Sequence, residues 1–548
     1  MSSAAAEVEQ TLASCLDELL AHHPDAATAL GDHRHDDRLA DLSPEGVADE
    51  LAWLRRRRGD LSELDGDLSL DDAVDAAILR NRLDSREHEL TTLREHEWDP
   101  LAWNPGTAVY LLLARDFAPL GDRLRSAASR LAAVPQVLET ARRTLTDMPR
   151  VHVETAIGQF TGTRTLLATE LERALGEHPA GRREVEPARD AAVTALDEHI
   201  AWLRGRLDDA NRNPRIGAQA FARKLALTLD TDSDSDTVLS RAESDLATIE
   251  DELAVAAARL DPQGDRHGQV RRVLDRLAAE GHVDNTTIVG RCEQALAETT
   301  DFVRSTHLVT VPDDPVEIIL MPEIHRGVAV AYCDPPGPLE SASLPTFFAV
   351  SPTPEDWPKD RVDSFYREYN AHMLHNLTVH EAMPGHVLQL AHSARFEAAV
   401  PVRKALWSGT FVEGWAVHAE ALMVEHGYRA DEGQLEALRM QQLKMALRST
   451  INAILDARVH AHGMTEAEAM MLMTERGHQE DGEAAGKWRR ALLTSTQLST
   501  YYVGHLEVSG IARDLAAARP ELDERARHDA MLSFGSPAPR HLRTLLHL

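Results

Sequence analysis

From about residue 5 to residue 300, apolar residues recur every third or fourth position in a chain rich in Ala, Leu, Arg, Asp and Glu, as in LRSAASRLAAVPQVLETARRTL. That period matches the turn of an α-helix and gives each segment one apolar stripe, so this half predicts long amphipathic helices that bury their stripes against one another. Breaks are expected at DGDLS (65–69), WDPLAWNPG (98–106), NRNPRIG (211–217) and DTDSDSD (230–236), where Pro, Gly, Asn and Asp favour turns. The last lacks the glycine and the distal glutamate of a calcium loop and reads as a solvated helix cap.

Between roughly 306 and 352 the texture changes to VEIILMP, GVAVAYCDP and TFFAVSP, short β-rich runs separated by Pro and Gly that predict a small sheet. Beyond 360 the helical period returns, with loops expected near GTF (409–411), HGYRADEG (426–433) and FGSPAPR (534–540). A chain of 548 residues has ample material for a core.

Charge narrows the partners. The 89 acidic against 58 basic residues leave a net charge of −31, which opposes attachment to nucleic acid or anionic lipid, because phosphate binding depends on clustered Lys and Arg. Neither nucleic acid nor a membrane is expected as a partner. Cys15, Cys292 and Cys333 lie far apart, without the paired spacing of a zinc site or a disulfide framework, and fit a reducing compartment. The segment MSSAAAEVEQTLASCLDELL lacks a basic start and a continuous apolar run, and no stretch of about 18 apolar residues occurs. The expectation is a cytoplasmic protein without membrane spans.

The informative stretch is LTVHEAMPGHVLQL (377–390), with His380, Glu381 and His386 in apolar surroundings. A zinc hydrolase needs two imidazoles, a third protein ligand, an open position for water and a carboxylate to take that water's proton. The short form of such a motif spaces its histidines by four, about 40° apart around a helix. Here the spacing is six, which on a regular helix puts His386 about 240° from His380. Pro384 lacks an N–H and Gly385 tolerates unusual dihedrals, so Pro-Gly can break the helix and rephase His386. A third ligand is available in GTFVEGWAVHAE (409–420), where Glu413 and Glu420 are seven apart and share a face. Glu413 is favoured as ligand, with Glu420 as the group that orients a histidine or substitutes for Glu413.

His-Glu pairs also occur at 88–89 and 96–97 in a charged helical stretch, and the chain has 27 histidines. The residues alone therefore leave a metal site and a set of packed core histidines both open. His372 and His375, three apart, and His460 are weaker candidates of the same kind. Tyr501 and Tyr502 in STYYVGHLE offer a hydroxyl for an oxyanion, or simple packing.

HPDAATALGDHRHDDRLADLSPEG (23–46), EWDPLAWNP (97–105), HEAMPGHVLQ (380–389), FVEGWAVHAE (411–420), LDARVHAHGMTEAEAM (455–470) and STYYVG (499–504) together resemble an uncharacterised, largely bacterial family, domain of unknown function 885. That family in turn is similar to the glutamate-type zincin metallopeptidases. The resemblance implies a Zn²⁺ cofactor held by His380, His386 and Glu413, Glu381 as general base and Tyr501 as oxyanion partner. It also puts His460 at a position where members commonly carry histidine. Where the family usually has tyrosine in the Glu-Gly-Trp segment, this chain has His418, which leaves the role of that position open.

The expected fold class is mostly α: one large zincin-like domain over 1–548, with a helical half (1–305), a small sheet (306–352) beside the metal helix and a helical catalytic half (353–548). The expected activity is zinc-dependent hydrolysis of peptide or amide bonds in short peptides or peptide-like molecules. A metal-dependent lyase or hydrolase of a non-peptide metabolite and a metal-free helical binding protein are the alternatives. Arg513, Arg540 and Arg543 are available to bind a substrate carboxylate.

Overall fold

Leu124, Leu131 and Leu138 stand at seven-residue intervals on the helix Leu120–Thr144, and all three are buried. Seven residues are nearly two turns, so the three form one stripe, which packs with Phe160, Leu167, Leu171 and Leu196 of the helices Arg150–Glu177 and Arg182–Arg204. The predicted amphipathic period thus becomes a real core. The computed structural model describes residues 3–64, 68–231, 233–321, 330–342, 344–354, 357–431 and 433–548. The expected break at DGDLS and the start of GVAVAYCDP fall partly on residues 65–67 and 327–329, outside the described residues.

The chain divides into two compact units. The first comprises Met1–Pro214 with the segments Pro336–Leu344 and Glu397–Leu406. The Leu120–Thr144 stripe belongs to it, as does the buried Arg403, which pairs with Asp75 at 2.7 Å and Asp71 at 2.6 Å. In the same unit His33 stacks on Phe117 and bonds Asp36 through Nδ1 (3.0 Å) and Glu340 through Nε2 (2.8 Å).

The second unit comprises Arg215–Pro335, Pro345–Phe396 and Trp407–Leu548. It holds a three-stranded sheet of β1 (Val316–Leu320), β2 (Ala331–Asp334) and β3 (Thr346–Val350) in the order β1-β3-β2. β1 runs parallel to β3, Val316 opposite Thr346, and β2 antiparallel, Ala331 opposite Val350. Phe348, Ala349 and Val350 are fully buried, as a central strand covered on both faces requires. The fold is mostly helical with this one sheet among the described residues, as expected. DTDSDSD does cap a helix: Asp234 accepts the Thr237 N–H at 2.7 Å at the start of Ser235–Leu260.

Six helices of this unit carry the residues of interest: α1 (Ala371–Glu381), α2 (His386–Ala394), α3 (Gly409–Glu425), α4 (Leu435–His462), α5 (Asp481–Leu493) and α6 (Ser499–Ala518). The expected loop at GTF is instead the first turn of α3, because Ser408 supplies an N-cap that accepts from the Phe411 N–H. α3 and α6 run side by side in the same sense, with Gly409 against Thr500, Gly414 against Gly504 and His418 against Ser509. At the middle pair the backbones touch. A Cβ on Gly414 would lie 2.4 Å from the Gly504 carbonyl oxygen, and one on Gly504 2.1 Å from that of Thr410. Glycine is thus required at 414 and 504 by close approach. No helix among the described residues is long and apolar enough to cross a membrane.

Candidate metal centre

α1 begins where Asn370 accepts the His372 and Met373 N–H groups, and it ends at Glu381. The chain then breaks over Ala382–Gly385 and restarts as α2 with His386 in its first turn. Two contacts hold the break. Gly385 N–H donates to the Val379 carbonyl at 2.9 Å, so close that a Cβ at 385 would lie 1.9 Å from the His380 oxygen. The indole N–H of the fully buried Trp415 donates to the Pro384 carbonyl at 2.8 Å. The break rephases the second histidine: the rings of His380 and His386 lie 4.7 Å apart, nearly perpendicular.

Glu413, from the second turn of α3, closes the triangle. Its Oε2 lies 3.5 Å from His380 Nε2 and 3.4 Å from His386 Nε2, and the three ligand atoms fall within 4.8 Å of one another. Tetrahedral ligands about 2.0–2.1 Å from a zinc ion stand about 3.3–3.4 Å apart, close to both measured edges. The Glu413 Oε2 is buried and makes no hydrogen bond of acceptable geometry, so the groups are better disposed to share a cation than to bond one another. Two imidazoles and a carboxylate are an N/O set that suits zinc and its neighbours in the first transition row. Among the described residues this is the single cluster able to hold a metal ion.

The surroundings orient these ligands. His380 Nδ1 meets Glu420 Oε1 at 2.7 Å, and the other Glu420 oxygen accepts from the Asn376 amide at 2.8 Å, one turn back on α1. Glu420 is buried and so fixes the His380 ring with Nε2 toward Glu413. Glu381 is held from the sheet, its Oε2 accepting the backbone N–H of Cys333 in β2 at 3.1 Å. Burial raises the Glu381 carboxyl above the usual glutamate range, although the two imidazoles oppose it. Burial also acts upward on Glu413, but the two imidazoles that face its Oε2 outweigh it and hold that carboxyl well below its ordinary range.

Tyr501 lies on α6 between the rows where Gly409 meets Thr500 and Gly414 meets Gly504, at the level of Glu413. Its hydroxyl accepts from Arg490 Nη2 at 3.4 Å and Gln497 Nε2 at 3.3 Å. Burial and then the charge of Glu413 push its pKa up, keeping it a proton donor.

Two further candidates are bonded by groups other than the three ligand side chains. His418 Nδ1 bonds Ser509 at 3.0 Å and its ring faces His528, because it stands on the side of α3 that packs on α6. His460 bonds the carbonyls of Ala491 and Thr494, each at 2.9 Å, and stacks on Phe221. With the buried Asp456, which accepts from Thr496 and Ser499, it braces the turn that leads into α6 and Tyr501. His375 bonds the Tyr428 hydroxyl. Arg540 and Arg543 are engaged by Asp230 and Asp514. Residues that sequence reasoning passed over are Asn376, the Cys333 amide, Arg490 and Gln497. Asn376 alone left a trace, one turn before His380.

Over residues 24–546 the chain matches the family described as bacterial protein of unknown function, DUF885. The chain belongs to this family. No curated protein matches it. Among solved structures, the DUF885 chain is similar to a candidate lipoprotein of unknown function from Shewanella oneidensis, at 28% identity and a TM-score of 0.83, covering 100% of each chain. A candidate lipoprotein from Colwellia psychrerythraea shares the fold at 15% identity and a TM-score of 0.81, again covering 100% of each chain. An M32 carboxypeptidase from Deinococcus radiodurans R1 aligns over 93% of this chain and 96% of its own at 12% identity and a TM-score of 0.34, too remote to carry an argument. The lipoprotein descriptions overturn the cytoplasmic expectation, which is withdrawn. The lack of a disulfide among the three cysteines does not report a compartment here, because a chain with cores of this size needs none in either one.

Proposed function

We propose that this DUF885 protein is a zinc-dependent hydrolase of peptide or amide bonds in short peptides or peptide-like molecules. The observation that carries the reading is Glu413 Oε2 standing 3.5 Å from His380 Nε2 and 3.4 Å from His386 Nε2, both close to a tetrahedral zinc edge, with Glu381 next to His380 in the chain. His380, His386 and Glu413 would hold Zn²⁺, which would supply Lewis acidity to polarise the scissile carbonyl and acidify water.

The protein's own groups do the rest. Glu381 Oε2 is engaged by the Cys333 amide, which leaves Oε1 to take the proton of the attacking water. The raised affinity of this carboxyl for protons suits a group that must accept one and then release it. Water oxygen adds to the carbonyl carbon, the C–N bond breaks, and the proton held at Glu381 passes to the leaving nitrogen. Tyr501, whose hydroxyl oxygen already accepts from Arg490 and Gln497, donates a hydrogen bond to the developing oxyanion and keeps its proton.

The test pairs metal content with turnover. Purified protein is expected to carry about one zinc per chain, and Glu381→Gln to keep the metal while losing roughly 10²–10⁴-fold in kcat. Full activity in Glu381→Gln, or no stoichiometric metal in protein that retains activity, would sink the reading.

A further inference from the structure

Lys487 is one of five lysines in the chain, and only 5% of it is exposed. Among the described residues no hydrogen bond or ion pair reaches its ammonium group. Neither nearby carboxylate bonds it, although one oxygen of Glu368 is left without a hydrogen bond. Glu483 is bound by Arg448 and by the Tyr369 hydroxyl, and Glu368 by Lys444 at 2.9 Å and the Glu480 N–H at 3.2 Å. A buried ammonium without a partner is costly, and burial, with Arg448 beside it, draws the Lys487 pKa well below the lysine range even though Glu483 opposes this.

Arg490 stands three residues further along α5, on the same face. It too has no carboxylate partner among the described residues: Nη2 serves Gln497 and the Tyr501 hydroxyl, and Nε and Nη1 make no hydrogen bond. The face of α5 nearest the oxyanion donor therefore presents two basic side chains that no carboxylate of the described residues bonds, in a chain with 31 more acidic than basic side chains.

We infer that Lys487 and Arg490 form an anion subsite for the free α-carboxylate of the substrate, which makes the substrates peptides or acylated amino acids whose carboxyl end lies near the cleaved bond. The unbonded Nε–H and Nη1–H groups of Arg490 can each donate to a carboxylate oxygen, and the Lys487 amine, protonated beside the bound anion, supplies a further contact. Arg490 touches Tyr501, so the carboxylate lies within one or two residues, at about 3.8 Å each, of the carbonyl whose oxygen Tyr501 meets. The inference rests on the hydrolase reading for its substrate class and on α5 alone for its binding site.

The experiment uses the zinc-loaded full chain and a pool of N-acetyl tripeptides varied at the last residue, each as free acid and as amide. Binding is read by equilibrium dialysis and mass spectrometry on Glu381→Gln, and turnover on wild type. Acids are expected to bind about tenfold or more tightly than amides. Lys487→Met and Arg490→Gln should each bring that ratio toward one, and Lys487→Arg should restore most of it. Equal binding of acids and amides, no binding of either, or a preference that survives both substitutions overturns the subsite. The wild-type ratio decides the matter by itself where a variant fails to fold. Acid preference without turnover counts against the hydrolase reading alone, and turnover without acid preference against the subsite alone.

Discussion

Glu420 shows how much a residue outside the ligand set can decide. One oxygen fixes His380 and the other is fixed by Asn376, so the imidazole, the carboxylate and the amide form one buried chain. A group that orients a metal ligand in this way is worth about 10–100-fold in metal affinity. Glu420→Gln is accordingly expected to weaken zinc binding by about that factor in a competition titration with a chelator, while Glu413→Gln abolishes it. Unchanged affinity in Glu420→Gln would remove its orienting role. His380, Glu381, His386 and Glu413 were legible in the sequence because their chemistry travels with the side chain. Asn376, Lys487 and Arg490 were not, since each gains meaning only from what folding sets beside it. The roles of His418 and His460 could not be read from the sequence for the same reason: imidazole is equally suited to bonding a serine or a pair of carbonyls.

Among elements, the α1–α2 break and the α3–α6 contact rest on glycines that admit no side chain. Gly385→Ala would drive a methyl group into the His380 carbonyl, and Gly414→Ala into the backbone of Gly504. Each is expected to destabilise the protein by roughly 1–3 kcal/mol, with loss of zinc at lower chelator concentration. Gly290, inside the helix Ile288–Thr306, has nothing within 4 Å of its would-be Cβ, so Gly290→Ala should instead stabilise by roughly 0.5–1 kcal/mol. Thermal melts of the three variants measure the contrast, and equal effects would contradict it. The amphipathic helices and the sheet were visible beforehand because period and composition are local properties. The start of α3 was not, because Gly-Thr-Phe looks like a breaker until Ser408 is seen capping it.

At the scale of the whole molecule, pH acts on the first unit through His33. Burial disfavours its charged form, but Asp36 and Glu340 outweigh that and raise its pKa above 6.5. A raised folded pKa means stability fully present below about pH 6.5, the unfolded value, and lost as pH rises through the folded pKa. The melting temperature of wild type should therefore exceed that of His33→Gln at about pH 5.5 by more than at about pH 8.5. A gap independent of pH would exclude His33 as the group responsible.

The strand that reaches Glu381 does so through the main-chain amide of Cys333. Drift at codon 333 can therefore exchange the thiol for almost any side chain without unseating the carboxylate, and an alanine scan will pass over the contact. Proline alone, having no amide hydrogen, would silence it.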